Sequence, residues 1–174
     1  TMVGGQPESG MVAFNAQTGK TVWQSVGKTT WHKTPKLGWP GEPLMDWLGA
    51  EKLASYASPV IATVHGKRVA FCLMRQGLVA LDPKTGKVHF KRWFRAPSNE
   101  SVNASNPVVI GDQVFCSSAY YGEGAFVLKI KPDLSSTTVT WSTLQRRAKN
   151  RRHEEVLGLH WMTPIVHEGN LYAF

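Results

Sequence analysis

Two segments of this chain are near-copies of each other, and this repetition constrains the fold more than any other feature of the sequence. The copies are residues 13–23 (AFNAQTGKTVW) and 80–90 (ALDPKTGKVHF), and each follows an apolar GMV or GLV. In each copy an Asn or Asp side chain can accept hydrogen bonds from backbone amides nearby, and a glycine supplies a positive φ without steric cost. Each copy therefore predicts a β-hairpin, and its recurrence predicts stacked copies of one supersecondary unit.

A second short motif also recurs, with a small polar residue and a proline before β-branched residues. Its copies begin at Ser58-Pro59, Asn106-Pro107 and Thr163-Pro164, and a turn containing Gly follows each of them. Proline suits the first position of a strand, where a missing N–H donor costs least. The motif therefore predicts a further hairpin. Joined to the first motif, it gives a four-stranded antiparallel unit with strands near residues 59–64, 68–74, 77–82 and 87–94.

These units predict an all-β fold, a β-propeller of four-stranded antiparallel blades. Four-stranded units that follow one another along the chain are typical of propellers. Both ends of the sequence fall inside a unit, so we expect a fragment with two complete blades and a partial blade at each end. The single partial domain divides into a partial blade (1–25), an inter-blade insertion (26–55), a blade (56–95), a second blade (104–143), a basic connector (144–158) and a partial blade (159–174).

The turn motif resembles the repeat of pyrroloquinoline-quinone-like propellers. Their pattern, Ala-x-Asp-x-x-Thr-Gly-x-x-x-Trp, is found in quinoprotein alcohol dehydrogenases and in the non-catalytic outer-membrane assembly lipoprotein. The resemblance implies a propeller and an extracytoplasmic location. It carries over no functional residue, because the repeat lies in the blade scaffold of catalytic and non-catalytic members alike. The matching residues are Ala80, Asp82, Thr85 and Gly86 with Phe90 for Trp, and Ala13, Thr18, Gly19 and Trp23 with Asn15 for Asp.

The resemblance leaves two functions open. Quinone enzymes of this class are similar to one another in adjacent cysteines, a calcium site and an Asp base, whereas the two cysteines here, Cys72 and Cys116, are not adjacent. No cofactor is evident in the sequence, and the leading hypothesis is a non-catalytic binding or scaffold module. The alternative is part of a quinone-dependent alcohol or sugar dehydrogenase, and only that reading implies pyrroloquinoline quinone and Ca²⁺.

The two cysteines also test the register of the predicted blades. They fall in equivalent second strands but one position out of register when Gly66 and Gly111 are aligned. Because side chains alternate along a strand, the two thiols are expected on opposite sides of their sheets, and no disulfide is predicted.

A propeller places candidate binding residues on one face. The segments that lead into first strands and the loops from second to third strands meet around the central channel, so a protein, peptide or carbohydrate ligand is expected there. The lead-in segments supply Tyr56, Ser58, Asn103, Asn106, His160 and Thr163, and the loops supply Arg75, Gln76, Tyr120, Tyr121 and Glu123.

Two of these assignments have structural alternatives. Glu123 lies between glycines and beside tyrosines, which suits close approach of a ligand, but a solvated turn explains the same pattern. Asn103 and Asn106 could instead bond the local backbone at the strand entrance.

Much of the net charge of +8 is concentrated in one basic run, residues 146–152. Such a run attracts polyanions, although charge runs are usually solvated connectors. Nucleic-acid binding is not favoured because no aromatic residues alternate with the basic ones. No apolar run approaches the roughly 20 residues of a membrane helix, and no Cys-x-x-Cys or His-Glu-x-x-His spacing predicts a metal site. A polyanion-binding surface is therefore the weaker hypothesis, and its residues are Arg146, Arg147, Lys149, Arg151 and Arg152.

The insertion at 26–55 breaks the strand pattern with prolines and tryptophans. We interpret it as a loop with a short helix after Glu42-Pro43. Its tryptophans, Trp31, Trp39 and Trp47, either form a lid over a ligand or anchor the insertion onto the propeller.

Overall fold

The computed structural model describes residues 10–25, 28–31, 55–95, 102–120, 124–143 and 157–173. Within these ranges the chain forms twelve β-strands and one 3-10 helix, Lys28–Trp31. The strands are β1 (Met11–Phe14), β2 (Thr21–Ser25), β3 (Val60–Val64), β4 (Lys67–Met74), β5 (Gly77–Leu81), β6 (Val88–Trp93), β7 (Val108–Ile110), β8 (Gln113–Ser118), β9 (Gly124–Ile130), β10 (Thr137–Ser142), β11 (Ile165–His167) and β12 (Asn170–Tyr172).

The described strands form four sheets. Sheet 1 pairs β1 with β2, sheet 2 runs β3-β4-β5-β6, sheet 3 runs β7-β8-β9-β10, and sheet 4 pairs β11 with β12. All pairs are antiparallel. The fold is therefore all-β and contains the predicted four-stranded blades. The limits of the predicted insertion and basic connector fall largely outside the described residues and stay predictions.

Successive sheets stack face to face. The side chains of β4 alternate between two cores: Phe71 packs with sheet 3, whereas Cys72 packs with Met11 of sheet 1. Sheet 3 in turn buries Cys116 against sheet 2 and Phe115 against sheet 4. Strands with both faces covered in this way read as continuous apolar runs. The four sheets thus pack in chain order, and sheets 2 and 3 each lie between two neighbours.

The cysteines confirm the predicted register, because Cys72 and Cys116 pack in different cores. Both side chains are buried. Burial disfavours the thiolate. It raises the pKa of Cys72 to about 12, and it raises the pKa of Cys116 as well.

The two near-identical motifs fold into the same turn. Asn15 Oδ1 accepts from the amides two and three residues ahead at 3.0 and 2.9 Å, and Asp82 Oδ1 does so at 2.8 and 2.9 Å. Gly19 and Gly86 follow with φ of 68° and 74°. The amides of Thr85 and Lys84 stabilise the carboxylate and hold the pKa of Asp82 below its ordinary value. The predicted hairpins are confirmed with their turn chemistry.

Sheet 3 makes the corresponding turn without a glycine. Asp133 accepts a hydrogen bond from the amide of Ser135 at 3.0 Å, and Leu134 takes the left-handed conformation with φ of 63°. A leucine there is strained, but its side chain is buried in the core between sheets 2 and 3. Core packing therefore stabilises at Leu134 the left-handed conformation that Gly19 and Gly86 adopt in the other two motifs.

Trp23 joins sheet 1 to sheet 2. Its indole Nε1 donates to the carbonyl of Pro83 at 3.1 Å, and its ring covers Gly86 so closely that a Cβ there would lie 2.7 Å from two ring carbons. The closing aromatic residue of one motif thus packs on the turn of the next. In the other motifs Phe90 is 7% exposed and Trp141 is 41% exposed.

Trp31 is the described tryptophan of the insertion, and it is 1% exposed. Its ring meets Trp93 edge to face at 5.8 Å, and the Lys91 ammonium lies 5.7 Å from the ring centre. Trp31 therefore anchors its segment onto sheet 2. Trp39, Trp47 and the predicted short helix lie outside the described residues.

Candidate ligand-binding face

The antiparallel topology gives every sheet two distinct ends. One end carries the hairpin turns from first to second and from third to fourth strands. The other carries the β4–β5 turn, the end of β8 and the segments that lead into β3, β7 and β11, and it corresponds to the predicted channel face. We call this end the lead-in face; its described residues are 55–59, 75–76, 94–95, 102–107, 118–120 and 157–164.

Hydrogen bonds between equivalent positions connect the three lead-in segments. The amide of Ser58 donates to Asn106 Oδ1 at 2.6 Å, and the amide of Asn106 donates to Thr163 Oγ1 at 3.3 Å. Each of these residues precedes the strand-opening proline of its own sheet. The bonds therefore fix consecutive sheets to one another at this face, and we call them the lead-in relay.

Asn103 also connects its segment to the preceding sheet by hydrogen bonds. It is 1% exposed, and its Nδ2 donates to the carbonyls of Met74 and Phe94 at 2.8 and 3.0 Å. Its own carbonyl accepts from the amide of Tyr56 at 3.1 Å. The alternative in which Asn103 and Asn106 bond local backbone is not what the structure shows, because the partners of both side chains belong to the preceding sheet or its lead-in segment.

Four aromatic rings meet on the lead-in face. The ring centres of Tyr56 and Trp161 are 5.6 Å apart, those of Tyr120 and His160 are 4.7 Å apart, and Tyr120 also meets Trp161 at 6.0 Å. Tyr56 is 69% exposed and Trp161 is 60% exposed. We call Tyr56, Tyr120, His160 and Trp161 the aromatic cluster. It joins three predicted site residues with Trp161, which was not predicted.

The backbone fixes the position of these rings. Ser117 Oγ donates to the carbonyl of Leu157 at 2.6 Å and accepts from the amide of Leu159 at 2.8 Å. The amide of Ala119 donates to the carbonyl of Leu159 at 3.2 Å. Tyr120 and His160 are the next residues along these two segments. The aromatic cluster is thus held by bonds between two sheets.

Buried polar atoms lie behind this surface. Gln76 is fully buried, and neither atom of its side-chain amide has a hydrogen-bond partner in the described part of the chain. The same holds for Asn103 Oδ1, Ser105 Oγ and Ser118 Oγ. Each such group costs about 1–3 kcal/mol when it stays unpaired.

The charges of the two faces differ. All four described carboxylates, those of Asp82, Asp112, Asp133 and Glu168, lie in hairpin turns of the opposite face. The lead-in face carries Arg75, with a buried Arg95 whose Nη1 lies 3.5 Å from the Arg75 carbonyl, and the exposed His160. The described part of the lead-in face therefore carries no carboxylate.

This distribution bears on the calcium and quinone of related enzymes. Calcium is bound by several oxygen ligands, carboxylates foremost. Among the described residues no group of three or more His, Cys, Asp and Glu is arranged to hold a metal ion, and the carboxylates are on the other face. The alternative with pyrroloquinoline quinone and Ca²⁺ stays a prediction.

Some predicted site residues lie outside the described part of the chain. They are Tyr121, Glu123, Arg146, Arg147, Lys149, Arg151 and Arg152. Their roles stay predictions. None of the helices among the described residues is both long enough and apolar enough to span a membrane.

Stacked four-stranded antiparallel sheets with a recurring Asx turn and joined lead-in segments define a β-propeller of the pyrroloquinoline-quinone-like repeat type. The family model described as outer membrane protein assembly factor BamB matches residues 3–173. The chain belongs to this family, which confirms the resemblance of its repeats. A comparison with curated proteins found no match.

Proposed function

We propose that this chain is an extracytoplasmic propeller module that binds a protein, peptide or sugar ligand on its lead-in face. The observation that carries the proposal is the aromatic cluster, in which Tyr56 and Trp161 are both more than half exposed. Large exposed aromatic side chains rimmed by polar residues mark interaction sites, and Tyr and Trp are enriched among residues that dominate binding energy.

The rigidity of the cluster supports a binding role. Its rings come from segments of three consecutive sheets, and bonds between those sheets hold each segment. A surface that is already ordered loses little conformational entropy when a ligand binds. Exposed apolar area that is also rigid is therefore suited to recognition.

Family membership supports the compartment and the kind of activity. The family is described as an assembly factor of outer membrane proteins, and that description suits a module that works outside the cytoplasm by contact with other molecules. This proposal assigns no chemical reaction to the chain.

Site-specific photo-crosslinking in intact cells tests the proposal. A photoreactive phenylalanine derivative replaces Tyr56 or Trp161, and a matched variant carries it at Lys84, an exposed position in a hairpin turn of the opposite face. We expect adducts from the two lead-in positions and not from position 84, in the cell-envelope fraction. Adducts that form equally from both faces, or a cytoplasmic location, would contradict it.

A further inference from the structure

We propose that the turn face, the end of each sheet that carries the hairpin turns, docks on a bilayer surface of anionic phospholipids. This inference concerns the face opposite the aromatic cluster and is independent of the proposed function. It is carried by exposed cations in the turns of sheets 1 and 2. We call them the basic patch; its residues are Lys20, Lys67, Arg68, Lys84 and Lys87.

The basic patch has a local excess of positive charge. The turns that contain it, residues 15–20, 64–68 and 82–87, hold one carboxylate, that of Asp82, against the five cations. This carboxylate accepts hydrogen bonds from two amides of its own turn. None of the five cations forms an ion pair in the described part of the chain. Their charges are therefore available to an external anion.

The described turns of sheets 3 and 4 lack this excess. Lys129 pairs with Asp112 at 3.5 Å, and the carboxylates of Asp133 and Glu168 outnumber the remaining lysine, Lys131. The positive charge of the turn face is thus localised on two neighbouring sheets.

Strand register brings the cations of sheet 2 together. Ala70 of β4 pairs with Leu81 of β5. The same register, continued towards the turns, places Arg68 and Lys67 beside residues 82–84. Neighbouring strands lie about 4.8 Å apart, and the Debye length at physiological ionic strength is about 8 Å. The cations of the two hairpin turns of sheet 2 therefore act together on an external charge.

Sheet 1 adds Lys20 to the same surface. Trp23 of β2 donates from its indole Nε1 to the carbonyl of Pro83 at 3.1 Å, which joins the first hairpin to the 82–87 turn of sheet 2. Lys20 is the last residue of its turn, directly before β2. The basic patch thus spans the ends of two sheets that are bonded to each other.

The composition of the patch favours a lipid surface over a protein or a nucleic acid. Four of the five cations are lysine, and the three turns contain no Phe, Tyr or Trp. Protein interfaces are depleted of lysine and enriched in aromatic residues, and single-stranded nucleic acids bind where aromatic side chains stack on their bases. An anionic bilayer instead attracts lysine and arginine through its surface potential and needs no fitted contact.

Co-sedimentation of the complete protein with vesicles tests the inference. Vesicles of phosphatidylcholine mixed with phosphatidylglycerol are compared with vesicles of phosphatidylcholine alone, at low and at high salt. Lys84→Gln and Lys87→Gln each remove one cation of the patch, and Asp82→Asn removes its carboxylate while Asn15 shows that asparagine makes the same turn. The matched control is Lys91→Gln, because Lys91 is exposed within β6 and outside the turns. Thermal unfolding of each variant shows whether it is folded as the wild type is.

We expect binding to the vesicles that contain phosphatidylglycerol, and its loss at high salt. Removal of either patch lysine should lower the partition coefficient by about fivefold, and Asp82→Asn should raise it by a similar factor, with no change in Lys91→Gln. Absence of binding to these vesicles, binding that salt does not weaken, or equal losses in Lys84→Gln and Lys91→Gln would overturn the inference. Binding to duplex DNA or to an acidic protein without binding to vesicles would overturn it as well.

The inference and the proposed function can fail separately. Vesicle binding reports on the turn face, whereas protein adducts from positions 56 and 161 report on the lead-in face. A lipid adduct at position 84 differs in mass from a protein adduct, so position 84 remains a valid control for protein contacts of the lead-in face.

Discussion

Gly86 offers the most direct test of how the sheets are joined. It occupies the left-handed region at φ 74°, directly beneath the ring of Trp23. Gly19 has the equivalent place in the preceding turn, at φ 68°, and a Cβ there would have no heavy atom within 4 Å. The two glycines share a backbone conformation and differ in what covers them. Gly86→Ala and Gly19→Ala are therefore a matched pair.

The expected costs follow from these two environments. Placing alanine in the left-handed region costs about 1–2 kcal/mol at either position. At Gly86 the new methyl group also meets two ring carbons of Trp23 at 2.7 Å, and such overpacking costs about 1–3 kcal/mol more. We expect Gly86→Ala to lower the free energy of unfolding by roughly 2–5 kcal/mol, and Gly19→Ala by the backbone part alone.

Denaturant unfolding followed by circular dichroism measures both changes. A third variant, Gly86→Ala combined with Trp23→Ala, removes the ring that the methyl group meets. In the double-mutant cycle with Trp23→Ala alone, the cost of Gly86→Ala should fall toward that of Gly19→Ala and exceed it only by the contact with Ser25 Cβ at 3.2 Å. Equal costs for the two single glycine variants, or a cost at Gly86 that does not fall without the ring, would refute the inter-sheet contact.

Three further predictions follow from the contacts and charges described above. Asn106→Ala removes the bond to the Ser58 amide and should lower the free energy of unfolding by about 0.5–1.5 kcal/mol, whereas Asn170→Ala, which loses a local turn bond, should change it less; the reverse order would contradict the lead-in relay. The folded-state pKa of Asp82 is lowered, so its stabilisation is complete above the unfolded pKa of about 3.9 and is lost as pH falls through the folded pKa. Asp82→Asn should retain the turn, as Asn15 does, and lose less stability in acid, and an unchanged acid profile would contradict this. Pyrroloquinoline quinone and calcium, added to the complete protein, should give neither cofactor absorbance nor dye-linked alcohol oxidation, and either signal would favour the dehydrogenase alternative.

The blades could be predicted from the sequence because their determinants are local. An Asx residue, a glycine and alternating apolar residues specify each hairpin within a dozen positions, and the structure confirms β3 to β6 within two residues of the prediction. Leu134 marks the limit of this approach. Its left-handed conformation is supported by a core built from another sheet, and no local pattern contains that information.

The candidate site was predictable only in part. The topology indicates which segments share a face, so Tyr56, Tyr120 and His160 could be named. Trp161 could not be recognised, because a tryptophan beside a strand is a core residue as readily as an exposed one. The lead-in relay joins residues 48 and 57 positions apart, and a bond over that distance depends on how the sheets pack.

The double-sided burial of β4 and β5 changes what determines strand alignment. All five residues of β5 are buried, so a slip by one position would leave no apolar side chain in water. Within β5 such a slip would mainly exchange the occupants of the two cores and place a smaller side chain, Ala80, where Leu81 now packs. In a strand with one exposed face, a one-residue slip would turn the apolar side chains to solvent and is therefore strongly disfavoured. In β5 the correct register therefore depends on side-chain volume and on the hairpin turns at the strand ends. Mutations that destabilise a turn should favour states that are compact but have a shifted register.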